Sequence, residues 1–276
     1  MKPRTLAALA VTATLAVVPS QASAAKAKKV TLIGSGSVAA QPYFLSLFKA
    51  YRTEHPNVRF VYTANGGNVG VKDVQQGKSQ FAGQARTPLP SDAGTTYVKG
   101  FLDGMVVATN PANKLTSIGL PQLKDIYSGV ATNWSSVAGS GLTSTISAFG
   151  RDSNGGQYQF FNTAVLGGAA PASRVTPFLS DGLVANAVAK DQAAIGYHGL
   201  AWVTKKERVL KINGIAPSAK TIGNQTYPLT RFIFFVLPTT NPNKNVQKFV
   251  DWVRTSAAAG KVLTKSGAVP AFNKKK

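Results

Sequence analysis

Cysteine is absent from all 276 residues. That excludes a disulfide framework, a thiolate metal site and a lipid-acceptor cysteine, so stability rests on the core and no lipoprotein anchor is expected. Carboxylates are scarce: 10 Asp and Glu stand against 31 Lys and Arg, and charged residues make up 15% of the chain, below the roughly 25% of an average soluble protein. Two histidines occur, His55 before Pro56 and His198, and neither has a partner at metal-ligand spacing. Both read as structural, and no metal or cofactor is expected. With no G-x-S-x-G, no H-E-x-x-H and few carboxylates, little acid–base machinery is left, so neither catalytic residues nor an enzyme is expected. The apolar run from Leu6 to Val18 is too short for the ~20 residues of a membrane span, and nothing later approaches that length.

That run has a different reading. Lys2 and Arg4 precede it, and Pro19 and the small residues Ala22-Ser23-Ala24 follow. This pattern predicts a secretory leader over residues 1–24, cleaved near Ala24, and a mature protein in the periplasm or secreted outright. The remaining chain, within an overall 44% hydrophobic composition, is long enough to bury a sizeable core in one large domain or two ordinary ones. Without Lys2 and Arg4 it holds 29 basic against 10 acidic residues, a net charge near +19, so anionic partners are expected. Lysines 26, 28, 29 and 274–276 form short terminal tails and the others are scattered. A solvated basic surface and a dedicated polyanion-binding face both accommodate that distribution.

Along the chain, strands alternate with helices. Val30 to Ile33 reads as an apolar strand, followed by a glycine turn and a helix over about 39–52 with Phe44, Phe48 and Tyr51 on one stripe and Pro42 in its first turn. A strand over 59–64 leads through Asn65-Gly66-Gly67 into a short helix over about 69–76. Met105 to Thr109 reads as a buried strand, after which prolines and glycines mark a crossing into a second lobe. There, helix 120–127, strand 145–149, a helix capped by Asp181 and strand 193–197 are expected, then a very apolar strand over 231–237. A last helix carries Val246, Phe249, Val250 and Val253 on one face, and Phe160-Phe161 and Phe234-Phe235 read as core. The alternation predicts an α/β fold of two lobes, each a mixed, mostly parallel sheet flanked by helices.

Three segments share one design, a strand running into a glycine-bearing turn that opens a helix: IGSGSVAAQPYF at 33–44, YTANGGNVGVKDV at 62–74 and FGRDSNGGQYQFF at 149–161. A helix N-terminus carries unsatisfied N–H groups and the positive end of the dipole, so it holds an anion without a dedicated cation. One such turn is ordinary turn chemistry; three aimed at one place would replace much of an oxyanion's hydration shell. Arg151, in the third turn, adds a planar fork that binds oxyanions bidentately, with an ion pair to Asp152 or another acid as its alternative.

In these segments, and in FAGQARTPL (81–89), LKDIYSGVATNW (123–134), AAIGY (193–197) and YPLTRFIFFVLP (227–238), the chain resembles the periplasmic phosphate-binding proteins of ABC transporters, in order over nearly its whole mature length. The resemblance implies the type II periplasmic-binding-protein fold, with a ligand cleft between the lobes and a hinge motion on binding. It implies lobe I at 25–105 plus 231–276, lobe II at 106–230, a monomer, and delivery of the ligand to an ABC permease. Carried over by position, the ligand contacts are Ser37 and Val38, Gly67 and Asn68, Arg86 and Thr87, and Arg151, Ser153, Gly155, Gly156 and Gln157.

The sequence departs from the family where the chemistry is read. The family has hydroxyls where this chain has Val38, Gly67, Gly155 and Gln157, and its buried aspartate, the acceptor of hydrogen phosphate's proton, aligns with Arg86. Two arginines without an acceptor favour a fully ionised anion, unless Asp152 or Asp73 turns inward. The expected function is capture of a small oxyanion, phosphate foremost, for transport or sensing. The alternative is a secreted or surface-associated basic protein of the same fold that binds polyanions and has lost tight phosphate selectivity.

Overall fold

The computed structural model describes residues 28–153 and 155–272, so the expected leader and the lysines at 26 and 274–276 lie outside the described residues. The chain opens with β1 (Val30–Gly36), α1 (Gln41–Glu54), β2 (Val58–Thr63), α2 (Gly67–Gln75), β3 (Phe81–Gln84) and a long β4 (Thr95–Thr109). Next come β5 (Ser117–Ile118), α3 (Leu120–Tyr127), β6 (Ser147–Arg151), α4 (Gly156–Leu166), β7 (Thr176–Phe178), α5 (Asp181–Lys190) and β8 (Ala194–Gly199). The last third holds β9 (Arg208–Val209), β10 (Lys211–Ile212), α6 (Ala219–Gly223), β11 (Thr230–Pro238), α7 (Lys244–Thr255), α8 (Ala257–Lys265) and β12 (Val269–Pro270).

The main strands lie in the order β2-β1-β3-β11-β4-β8-β6-β7. Strand β1 is parallel to both neighbours, and so is β6, whereas β11 and β4 run antiparallel to each other and to the strands flanking them. Strand β4 joins the two halves: its first part, to Gly104, pairs with β11, and Met105 to Thr109 pairs with β8.

Two large apolar clusters follow from this path. One is rich in aromatics and gathers Tyr43, Phe44, Phe48, Phe81, Phe101, Phe235 and Phe249 from α1, β3, β4, β11 and α7. The other gathers Met105, Ile126, Tyr127, Trp134, Phe161, Ile195 and Tyr197. Each fully buried ring of this kind contributes on the order of 2 kcal/mol by leaving water. Helix α1 forms because Pro42 sits in its first turn and Tyr43, Phe44, Leu47, Phe48 and Tyr51 make one buried stripe. Asn243 caps α7 through the N–H groups of Asn245 and Val246, and its buried face is Val246, Phe249, Val250 and Val253.

Three sequence expectations are corrected. Strand β4 begins at Thr95, ten residues before Met105; the pattern was obscured by Lys99, Gly100, Asp103 and Gly104, and Asp103 is tolerated in a buried strand because Arg231 stands opposite it in register and binds its carboxylate. Helix α7 is not the last, since Ser256 ends it and accepts from Ala258 N–H to start α8. The cap of α5 is Ser180, which accepts from Leu183 N–H; Asp181 is the first helical residue and fully buried.

Candidate functional site: a cleft at three helix N-termini

The turn after β1 is shaped by Gly36, whose φ of 119° is open to glycine and whose Cβ, were there one, would lie 2.4 Å from the Gly83 carbonyl. This close approach lets Ser37 N–H bond to Gly83 O, and Ser37 Oγ accepts from Ala40 N–H. The turn before α2 has Gly66 at φ 102°, with its N–H on Gly36 O, which ties the first two turns together. Intrahelical bonding in α2 starts at Gly70 N–H to Gly66 O, and in α4 at Tyr158 N–H to Gly155 O. The N–H groups of Gly67 and Asn68, and those of Gly156 and Gln157, therefore precede their ladders.

These turns meet. Ser37, Val38 and Ala39 from the first, Gly66 and Gly67 from the second, and Arg151, Gly155, Gly156 and Gln157 from the third line one tightly closed cleft. Among the described residues its lining holds one cation, Arg151, and no carboxylate. The helix dipoles and orphan donors of three N-termini add positive potential there without further charge.

Arg151 is 3% exposed and is held in place rather than left loose. Its Nη1 donates to Asp181 Oδ2 at 2.5 Å, Nη2 to Leu179 O at 2.8 Å and to Asp152 Oδ2 at 3.4 Å, and Nε to Phe178 O at 3.0 Å. Asp181 uses its other oxygen on Gly199 N–H at 2.9 Å. The ion pair weighed for Arg151 thus exists, chiefly with Asp181, and it fixes the guanidinium at the cleft wall.

Asn68, Arg86, Thr87 and Ser153 are not among the residues that line this cleft. Arg86 binds Asp92 through both terminal nitrogens, and donates besides to Asn68 Oδ1, Thr87 O and Tyr97 Oη. It lines, with Thr87, a groove against Tyr158, Gln159 and Asn162 rather than the cleft at Arg151. Burial opposes the charge on Asp92, but the bonds from Arg86, Leu89 N–H and Tyr97 more than offset it and hold its carboxyl below the usual range. Asn68 accepts from Gln84 as well as Arg86, and Ser153 is exposed. Asp73 accepts from Asn65 Nδ2, and its helix neighbour Lys72 is exposed.

Two features escaped the sequence reading. Gln84, fully buried at the end of β3, donates to Asn68 and accepts from Ala85 N–H. A Cβ on Gly67 or on Gly156 would fall 2.3 Å or 2.2 Å from its Oε1, so its amide spans the gap where α2 and α4 come together. The second is a buried triad from α1, β4 and β11: Asp103 accepts from Tyr43 Oη at 2.7 Å and from Arg231 Nη2 at 2.8 Å, and Arg231 lies 5.5 Å from the ring centre of Phe160 on α4. Burial pushes the Asp103 carboxyl up despite Arg231. Nearby, His198 Nε2 meets Glu207 Oε2 at 2.8 Å; burial disfavours its charge, but Glu207 outweighs this and its pKa is raised. No group of histidine and carboxylate side chains suited to a metal occurs among the described residues.

A two-lobed α/β chain with strand β4 running through both halves, and with helix N-termini converging on a cleft, has the architecture of the type II periplasmic binding proteins. The profile of the PBP superfamily domain matches residues 20–256, and the chain belongs to that family. It is 27% identical over 248 residues to the phosphate-binding protein PstS of Bacillus subtilis, covering 87% of this chain and 81% of that one. It is 26% identical over 274 residues to the protein SphX of Synechococcus elongatus, covering 91% and 80%. Among solved structures, a Clostridium perfringens protein holding bound phosphate superposes with a TM-score of 0.81 at 22% identity, over 87% of this chain and 99% of that one. An ABC-type phosphate transport receptor from Vibrio cholerae gives 0.72 at 22% identity, over 88% and 99%. No helix among the described residues is long and apolar enough to cross a membrane.

Proposed function

We propose that this chain is an extracytoplasmic solute-binding protein that captures phosphate in the cleft at Arg151 and hands it to an ABC permease. The observation that carries the reading is that turns from three distant segments, at 37–39, 66–67 and 155–157, line one cleft together with a buried arginine. On this reading an entering dianion meets the N–H groups of Val38, Ala39, Gly67, Gly156 and Gln157, the Ser37 hydroxyl and the Arg151 guanidinium, all from residues that line the cleft. The lobes divide at 25–105 plus 231–276 and at 106–230, with β4 and β11 as the hinge strands. Residues 1–24 serve as the export leader, and the protein works as a monomer in the periplasm or outside the cell. It carries out no catalysis.

Isothermal titration with inorganic phosphate is expected to show one site per chain, lost in Arg151→Ala. The rival reading, binding of polyanions, is favoured by the excess of 31 basic over 10 acidic residues. It expects salt-sensitive retention on heparin with no heat of phosphate binding.

A further inference from the structure

We propose that Gln157 lets this cleft read the charge and shape of a tetrahedral dianion without reading its protonation, so that sulfate and hydrogen phosphate bind with similar affinity. The proposal rests on the anion-binding reading above and deepens it.

Gln157 lines the cleft and is 2% exposed, and neither its Nε2 nor its Oε1 has a hydrogen-bond partner. A Cβ built on Gly199 would stand 3.2 Å from that Nε2 and 3.6 Å from Ala39 Cβ, so the carboxamide lies against Gly199, which also faces Ala39 of the first turn. Leaving both ends of a buried amide unpaired is costly, and a group entering the cleft relieves it. A carboxamide has a donor end and an acceptor end, and a half-turn about its last bond exchanges them. With neither end engaged, no bond from the protein decides that turn; the ligand decides it.

Hydrogen phosphate brings one O–H that needs an acceptor, while sulfate brings none. A site that admits the first and rejects the second needs a fixed, acceptor-only group, whose lone pairs repel a bare oxygen. The carboxylates near this cleft do not line it, and their oxygens are engaged: Asp181 takes Arg151 and Gly199 N–H, Asp152 faces Arg151 Nη2, and Asp92 takes Arg86 and Tyr97. Among the described residues, the lining residues whose side chains carry an acceptor are Gln157 and Ser37, and both groups convert to donors by rotation. Among the described residues, rejection of sulfate therefore has no side chain in the lining to carry it.

The test is calorimetric titration of the mature chain with sodium sulfate and sodium phosphate, in wild type and in Gln157→Glu. Wild-type dissociation constants within about tenfold of each other support the proposal, and Gln157→Glu is expected to move their ratio toward phosphate by on the order of 100-fold, because the carboxylate is acceptor-only. A wild type that prefers phosphate by more than roughly 100-fold overturns it and leaves the phosphate reading standing. Equal weakening of both anions in Gln157→Glu also overturns it. Binding of neither anion by wild type overturns this proposal and the underlying reading together. The wild-type ratio decides the matter even if the variant does not fold.

Discussion

Replacing Asp181 by alanine removes the counter-charge of Arg151 and the acceptor of Gly199 N–H in one step. Both partners are buried, Arg151 at 3% and Asp181 at 0% exposure, so solvent cannot take over either role. Breaking a buried pair from one side costs about 3–5 kcal/mol, and an orphaned buried N–H about 1–3 kcal/mol. These groups are neighbours and the terms do not simply add, so a loss of about 4 kcal/mol is expected, a large share of the roughly 5–15 kcal/mol that holds a domain folded. A bound dianion gives Arg151 a new counter-charge, and Asp181 no longer competes with it. Phosphate is therefore expected to restore more stability to Asp181→Ala than it adds to wild type at the same concentration, through the ordinary linkage of binding to folding. Urea melts with and without phosphate measure this, urea being uncharged and leaving the ion pair unscreened. Asp181→Asn keeps an acceptor for Gly199 and separates the two contributions. A loss below about 1 kcal/mol, or the same response to phosphate in both proteins, would refute the reasoning.

Further outcomes follow from the same geometry. Gly156→Ala sets a methyl group 2.2 Å from Gln84 Oε1, so phosphate affinity is expected to fall by at least about tenfold, and the double variant with Gln84→Ala to recover part of it by titration calorimetry. Arg231→Ala leaves Asp103 buried beside Tyr43 without its cation, with an expected loss of about 3–5 kcal/mol in urea melts. The raised pKa of His198 means that its pairing with Glu207 stabilises fully below the ordinary histidine value of about 6.5 and fades as pH rises through the folded value; Glu207→Gln is expected to flatten that alkaline limb of the stability profile. Phe161 stacks on Tyr197 at 3.9 Å in the core of the second half, and Phe161→Ala is expected to cost about 3–5 kcal/mol without changing anion selectivity.

Much of the fold was legible because apolar periodicity survives in its elements. The stripe at Phe44, Phe48 and Tyr51 and the face at Val246, Phe249, Val250 and Val253 are buried in α1 and α7. The early part of β4 was hidden because a buried Asp103 looks like a surface residue until Arg231, far along the chain, is placed opposite it. The glycine turns showed which backbone stretches offer free N–H groups, and the structure brings all three to one cleft. Side chains were harder to place from sequence. Arg86 and Arg151 follow similar strands, yet Asp92, six residues on, draws Arg86 into its own network, whereas Asp181 anchors Arg151 at the cleft. Gln84 gave no signal in sequence because its importance arises from two glycines, Gly67 and Gly156, that meet it only in three dimensions.

The most direct measurement is a phosphate titration of the amide-labelled protein followed by ¹H–¹⁵N correlation spectra. Hydrogen bonding to an oxyanion moves an amide proton downfield, so the largest downfield shifts are expected at Val38, Ala39, Gly67, Gly156 and Gln157, residues distant in sequence that saturate together at one equivalent. Shifts spread over the lysine-bearing surface, with these five amides unmoved, would contradict the account.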